Sequence, residues 1–128
     1  MKLKGIKSNN APKPAGPYSQ AVLAGNFVFC SGQIGMDSRK GSLVKGSIEK
    51  ETEQAMKNIS AILSKAGTSL NNVVRVDIFL ADMSNFDKFN GVYSKYFTRE
   101  PKPARQTVEV PRLPKNARIE ISCIACMD

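Results

Sequence analysis

The sequence predicts an α+β domain in which two helices cover one face of a mixed β-sheet. Residues 47–66 carry apolar side chains at intervals of three and four, which is the spacing of an amphipathic helix. Residues 84–97 repeat aromatic side chains at similar intervals. Short segments with alternating or β-branched side chains surround both and are typical of strands. Because the chain has 128 residues, we expect residues 1–128 to form a single domain.

The N-terminal third predicts three strands and two loops. Residues 1–8 favour a weak edge strand. Residues 10–18 contain three prolines, which exclude a helix and favour a stiff loop. Residues 21–23 and 27–33 are predicted to pair as a hairpin across a turn that contains glycine. Residues 35–46 contain three glycines among polar residues and are predicted to be loop.

The middle of the chain predicts helix, strand and helix. The first helix spans residues 47–66, and Gly67 follows it at the position where a left-handed residue commonly ends a helix. Residues 73–80 are rich in β-branched side chains and predict a strand. Ser84 is a favourable N-cap for the second helix, which we expect to continue to about Phe97 and to pack its aromatic side chains on the sheet.

The C-terminal region predicts two more strands, about residues 105–110 and 118–125. Prolines between them favour a turn, so we expect the two strands to pair as a hairpin. Side-chain alternation then allows Arg105, Thr107 and Glu120 to share one face. An arginine, a hydroxyl and a carboxylate on one face would suit a small carboxylate ligand and an attacking water molecule.

Charge and composition exclude several functions. Nineteen Lys and Arg against eleven Asp and Glu give a net charge of +8, which favours anionic partners but is also typical of a solvated surface. The chain has no histidine, which excludes a Ser-His-Asp triad and any zinc site that uses histidine. No segment has the length of a membrane span, and the N-terminus lacks the apolar core of a secretory signal.

The cysteines predict a reducing compartment, and we expect the protein to be cytoplasmic. Their number is three, which does not suit a framework of paired disulfides. Cys123 and Cys126 form a C-x-x-C sequence at the end of a strand, where residues three apart face opposite ways. We therefore interpret both as packing residues and predict no metal site there.

Two helices cover only one face of the predicted sheet. The other face combines apolar side chains with Arg75, Asp77 and Glu120 and is too apolar to remain in contact with water. We therefore expect a homo-oligomer that buries this face and gathers its polar groups at the subunit junctions.

Motifs along nearly the whole chain resemble those of the Rid family, the reactive intermediate deaminases, which is also called the YjgF family. Each motif alone is weak, but all of them occur in the order found in that family. They are Gly-Pro-Tyr-Ser-Gln-Ala at 16–21, Ser-Gly-Gln at 31–33, Asn-Ile at 58–59, Phe-Asn at 89–90, Val-Tyr at 92–93, Tyr-Phe at 96–97, Pro-Ala-Arg at 103–105, Leu-Pro at 113–114 and Ile-Glu-Ile at 119–121.

The resemblance implies a chorismate-mutase-like fold and a homotrimer with its sites in clefts between neighbouring subunits. It also implies hydrolysis of 2-imino acids, such as 2-iminopropanoate and 2-iminobutanoate, to 2-oxo acids and ammonia. Such imines, or their enamine tautomers, are released by pyridoxal-phosphate-dependent dehydratases. No cofactor or metal is expected in the deaminase.

The resemblance gives two residues catalytic roles. Arg105 corresponds to the arginine that binds the substrate carboxylate, a role that suits the planar fork of a guanidinium. Its alternative is a solvated arginine at a strand edge. Glu120 corresponds to the glutamate that orients the attacking water. Its alternative is a structural ion pair with a neighbouring arginine.

Five further residues are expected to bind substrate. Tyr18 would line the cleft, and Gly32 would allow the backbone to approach the ligand because it lacks a Cβ. Many relatives have cysteine where this chain has Thr107; a threonine serves if the backbone makes the ligand contact, and its hydroxyl can still donate, but a role that needs a thiol is excluded. The five are Tyr18, Ser31, Gly32, Asn90 and Thr107.

Two other functions stay open at this point. Some relatives are described as ribonucleases or translation inhibitors, and the net charge of +8 is compatible with RNA as a partner, although no basic block or aromatic stacking motif supports it. A protein that binds 2-oxo acids without turning them over would need the same arginine.

Overall fold

The computed structural model describes residues 1–128 and contains a mixed six-stranded sheet, a small two-stranded sheet and two helices. Three single 3₁₀ turns lie in the connections. The elements are β1 (Leu3–Ile6), β2 (Ala21–Ala24), β3 (Phe27–Gln33), β4 (Met36–Asp37), β5 (Ser42–Leu43), α1 (Ile48–Ala66), β6 (Val73–Leu80), α2 (Phe86–Tyr93), β7 (Ala104–Glu109) and β8 (Ile119–Cys126).

The large sheet has the strand order β1-β2-β3-β8-β6-β7. All neighbours are antiparallel except β6 and β7, which are parallel, so the sheet is mixed as predicted. Both helices pack on one face and bury one core with the inward residues of β3, β6 and β8. The prediction of two helices on one face of a mixed sheet is confirmed.

The predicted hairpin of the last two strands is wrong. β7 and β8 do not pair with each other, because β6 lies between them. β7 forms the edge of the sheet, and β8 lies between β3 and β6 as a central strand. The connection from Val110 to Arg118 is long enough to cross one strand, so its prolines end β7 without forcing a tight turn.

The first helix forms as predicted. Ser47 is its N-cap and accepts a hydrogen bond from the Lys50 N–H at 3.2 Å, and Gly67 ends it with a φ of +93°. The second helix is shorter than expected, because it begins at Phe86 and ends at Tyr93. Ser84 is not its cap; the backbone N–H of Ser84 donates instead to Asp82 Oδ1 at 2.9 Å.

Two smaller expectations have different outcomes. The predicted loop at 35–46 contains the β4–β5 pair. The C-x-x-C sequence packs as expected: Cys123 is buried beside Cys30 on the helix-covered face, whereas Cys126 lies on the other face. A hydrogen bond with Cys30, together with burial, raises the pKa of the Cys123 thiol. No helix has the length and apolar character needed to cross a bilayer.

The second face of the sheet, which we call the open face, has no helix over it. Phe27 and Phe29 of β3 lie there with 44% and 46% of their surfaces exposed. Cross-strand pairing adds Ile124 of β8 and Phe79 of β6, which are half-buried. The face is therefore apolar and unpartnered in one copy of the chain, while the trimer stays a prediction.

Candidate active site

The seven predicted site residues lie in two groups on opposite faces of the sheet. Arg105 is the register partner of Val76, and Thr107 is the partner of Ile78; both partners are buried under the helices. Glu120 pairs with Phe79, so it points to the open face. The expected common face of Arg105, Thr107 and Glu120 is therefore wrong for a single copy, because the strand register places the first two on the helix-covered face and Glu120 on the open face.

The first group is built around the Arg105 guanidinium at the edge of the sheet. Its Nη1 donates a hydrogen bond to Asn90 Oδ1 at 2.7 Å. Its Cζ lies 4.9 Å from the Tyr93 ring centroid, 5.2 Å from Phe89 and 5.7 Å from Phe86. α2 presents these four side chains on one surface because they are three and four residues apart. The helix therefore fixes the guanidinium through its rings and one amide.

Arg105 has no acidic partner, since none of the four ion pairs in the structure includes it. It lines an open depression of about 550 Å³ together with Lys102 and Tyr93. A fixed guanidinium with free N–H groups beside open space has the geometry that bidentate binding of a carboxylate requires.

Two buried hydroxyls belong to the same region. Tyr93 and Thr107 both have hydroxyl oxygens that are buried without a hydrogen-bond partner in one copy. Burial raises the pKa of Tyr93 to about 12, so its hydroxyl stays protonated. Thr107 follows Arg105 by two residues on the same face of β7.

The second group surrounds Glu120 at the start of β8. Its side chain lines a cleft of about 180 Å³ with Tyr18, Gly32, Lys13 and Lys115. A Cβ at Gly32 would lie 2.8 Å from Glu120 Cδ and Oε2, so only glycine leaves room for this carboxyl. Gly32 lies in an irregularity of the β3–β8 register between Cys30 and Gln33, and this irregularity brings its backbone against the glutamate.

The Glu120 carboxyl is half-buried and has no cationic partner within ion-pair distance. Burial raises the pKa of Glu120 above its ordinary value of 4.5. A carboxylate with a raised pKa is a stronger base toward a bound water molecule than a solvated one.

The loop before β2 forms one wall of this cleft. The buried Gln20 amide donates to the carbonyls of Ser8, at 3.1 Å, and Pro12, at 2.8 Å, and so fixes the proline-rich segment. The Tyr18 hydroxyl accepts a hydrogen bond from the Ala15 N–H at 3.2 Å, and its ring is exposed. Ser31 Oγ donates to the Ser19 carbonyl at 2.6 Å, which joins the loop to β3.

Comparison with known proteins shows the family of the chain. The family profile described as Endoribonuclease L-PSP matches residues 8–127. The chain is 56% identical over 120 residues to a RutC family protein of Pyrococcus horikoshii, covering 94% of each. It is 46% identical over 123 residues to a 2-iminobutanoate/2-iminopropanoate deaminase of Dermatophagoides farinae, covering 96% of this chain and 95% of that one. The chain belongs to the Rid/YjgF family.

A solved structure shows the same fold for this family. The crystal structure of a putative endoribonuclease from Thermotoga maritima superposes with a TM-score of 0.95 and 47% identity, covering 100% of this chain and 99% of that one. The Rid family name and the arrangement of helices and sheet predicted from the sequence are therefore confirmed. The roles of individual site residues stay predictions.

One charged residue near the Glu120 cleft was not predicted from the sequence. Glu51 of α1 is fully buried and binds Arg118 just before β8. The sequence prediction gave Glu51 no role in the site. Its spacing was a usable signal, because it lies three residues after Ile48 and four before Ala55, on the apolar side of the helix.

Proposed function

We propose that this protein hydrolyses 2-imino acids to 2-oxo acids and ammonia in sites formed between copies of the chain. The observation that carries the proposal is the separation of two unpaired groups of opposite charge. Arg105 lies at the sheet edge on the helix-covered side, and Glu120 lies on the open face. A site that uses both therefore requires the edge of one copy to lie against the open face of the next, as in the expected homotrimer.

The chemistry follows from the two groups. Arg105 binds the substrate carboxylate and orients the imine carbon toward the cleft. Glu120 accepts a proton from water as the water oxygen bonds to that carbon, and returns it to the imine nitrogen to give a neutral carbinolamine. Glu120 then takes the carbinolamine hydroxyl proton and passes it to the amine as the C–N bond breaks, so that C=O forms, ammonia leaves and Glu120 is unchanged after turnover. Names of relatives that include imine deaminase support this reaction class.

The substrates we propose are small imines such as 2-iminopropanoate and 2-iminobutanoate. They would be supplied by a pyridoxal-phosphate-dependent dehydratase, whose released imine also hydrolyses slowly in water. Adding the protein to such a dehydratase should accelerate 2-oxo acid release. Arg105→Ala and Glu120→Gln should each abolish most of this acceleration, whereas the control Lys57→Ala on the outer surface of α1 should retain it.

A mixing experiment tests whether the site is shared. Arg105→Ala and Glu120→Gln subunits, refolded together, should recover part of the activity, because some junctions then combine an intact Arg105 with an intact Glu120. No recovery in verified mixed oligomers would contradict a shared site. Binding of 2-oxo acids without any turnover by the wild-type protein would instead identify a non-catalytic binding protein.

RNA binding is a second candidate, favoured by the net charge of +8 and by the description of the family profile. Non-specific attraction would weaken steeply as salt rises to about 200 mM and would not change in Arg105→Ala. Binding that persists at that salt concentration and is lost in Arg105→Ala would support a specific RNA site.

A further inference from the structure

An ion pair between a buried carboxylate and a half-exposed guanidinium lies just before β8, two residues from Glu120. The Glu51 side chain on α1 is 0% exposed and accepts two hydrogen bonds from Arg118. The backbone N–H of Arg118 donates to Oε1 at 2.8 Å, and its guanidinium Nη1 donates to Oε2 at 2.5 Å. One carboxylate therefore fixes both the backbone and the side chain of this arginine.

Arg118 is also the cation nearest to Glu120 along the chain. The two residues are separated only by Ile119, at the start of a central strand. Arg118 lies in a bend just before β8, and two residues of extended backbone span roughly 7 Å, a distance that an arginine side chain released from Glu51 can cross. Without Glu51, the favoured partner of this guanidinium would therefore be the Glu120 carboxyl.

None of the other charged groups around Glu120 forms an ion pair with its carboxyl. Lys13 and Lys115 line the walls of the cleft, and no ion pair joins either of them to Glu120. On β6, Asp77 lies diagonally across from Glu120 and is paired with Arg75 at 3.0 Å. β3 contributes only the uncharged Gly32 and Gln33 to the cleft.

We infer that Glu51 is a positioning residue for Glu120, because it binds the Arg118 guanidinium and so leaves the Glu120 carboxyl without a cationic partner. The placement of Arg118 is independent of any reaction, whereas the effect on turnover rests on the proposed function. A released Arg118 would stabilise the ionised form of Glu120 and make it a weaker base toward water.

The alternative is a purely structural ion pair that attaches α1 to β8. The two roles differ in one respect. If a released Arg118 lowers the pKa of Glu120, removing the charge of Arg118 should reverse the pKa change that substitution of Glu51 causes. If the pair only attaches the helix, a second substitution at Arg118 should not restore the titration of Glu120.

The test is a carboxyl NMR titration of Glu120 in the full-length protein. Glu51→Gln keeps the size of the side chain and an acceptor for the Arg118 N–H. It should lower the pKa of Glu120, by about one pH unit if the released guanidinium comes within 4–6 Å. The double variant Glu51→Gln with Arg118→Gln should return the titration to the wild-type position. Glu53→Gln removes a carboxylate from the exposed side of the same helix. It is the matched control and should leave the pKa of Glu120 unchanged.

An unchanged titration in Glu51→Gln, or a shift that persists in the double variant, would overturn the inference. If Glu51→Gln does not fold, Glu51→Asp withdraws the carboxylate by one methylene and should give a smaller shift in the same direction; no shift in that folded variant would also overturn it.

Kinetics give a second readout. The acid limb of kcat/KM should move to lower pH in Glu51→Gln, by the same amount as the titration, and should move back in the double variant. Absence of deaminase activity in the wild-type protein would contradict the proposed function. The NMR titration would still decide whether Glu51 keeps Arg118 away from Glu120.

Discussion

The Glu120 carboxyl combines three properties that are uncommon in one acidic side chain. It is half-buried, it lies against a glycine, and it has no cationic partner. Burial without a partner raises its pKa, which is the direction that suits a base working near neutral pH. Arg105 differs, since three rings and an amide hold its guanidinium in place at the edge of the sheet.

We predict that Glu120→Gln lowers kcat/KM on the order of 10²–10⁴-fold while a 2-oxo acid still binds. The amide keeps the shape of the side chain but cannot accept a proton. In the wild type, the rate should rise with pH as Glu120 ionises, with the midpoint above the ordinary glutamate value of 4.5. Rate profiles from about pH 4 to 9 and calorimetric binding would measure both effects. Unchanged turnover in the variant would contradict the role of Glu120.

Gly32→Ala tests the contact between the β3 backbone and Glu120. The new methyl group would lie 2.8 Å from the carboxyl, which must move, although the φ of Gly32 is one that alanine accepts. Because the displaced atoms are at the end of a flexible side chain, the fold should tolerate the change. We expect kcat/KM to fall by about 100-fold, the loss typical of a misplacement of about 1 Å.

The matched control is Gly91→Ala on the exposed surface of α2, where an added Cβ meets nothing within 4 Å. It should stabilise the protein by about 0.5–1 kcal/mol, because alanine favours the helix, and leave activity unchanged. Equal activity losses in the two variants would show that the Gly32 contact is unimportant.

At the scale of elements, the sequence predicts what is local and misses what depends on pairing. The periodicity from Ile48 to Ala66 and the glycine after it specify α1, since each signal lies within the helix itself. The last two strands were also located, with errors of about one residue. Their partners were not, because alternation describes a strand's faces and contains no information on which strand lies beside it.

The candidate site shows the same division. The residue types and their family motif identified Arg105 and Glu120, but their placement on opposite faces depends on β8 lying between β3 and β6. Likewise, the acidic residues near the start of α1 were visible in the sequence. That Glu51 reaches Arg118, 67 residues away, follows only from the tertiary fold.

Asn58 joins α1 to the segment between β3 and β4. Its buried amide donates to the carbonyls of Ile34, at 3.2 Å, and Met36, at 2.9 Å, both of which line the Glu120 cleft. Asn58→Ala removes both of these hydrogen bonds. We expect a loss of about 1–3 kcal/mol in the free energy of unfolding, together with a higher KM. Urea denaturation and steady-state kinetics would measure the two effects.

Asn71→Ala is the control for that variant, because Asn71 is exposed. This substitution should change the free energy of unfolding by no more than about 0.5 kcal/mol. A KM that does not change in a destabilised Asn58→Ala protein would mean that this segment does not shape the substrate site.

At the scale of the whole molecule, the open face and the divided site point to the same assembly. One copy leaves Phe27 and Phe29 exposed on the face that also carries Glu120. Arg105 lies on β7, the edge strand, where a neighbouring copy can approach it. Association of the edge of one subunit with the open face of the next would bury the apolar side chains and complete the site in a single step.

This assembly predicts that oligomer and activity are lost together in Phe29→Lys. A charge placed on the open face must lose its hydration in the proposed interface, so sedimentation should show monomers for the variant and trimers for the wild type. Arg105 and Glu120 then stay apart, and turnover should fall to the uncatalysed rate and recover only at protein concentrations that restore assembly. Ser64→Lys, which places the same charge on the exposed surface of α1, should remain assembled and active. A Phe29→Lys monomer with full activity would show that one chain contains the complete site, and the proposal of a shared site would be wrong.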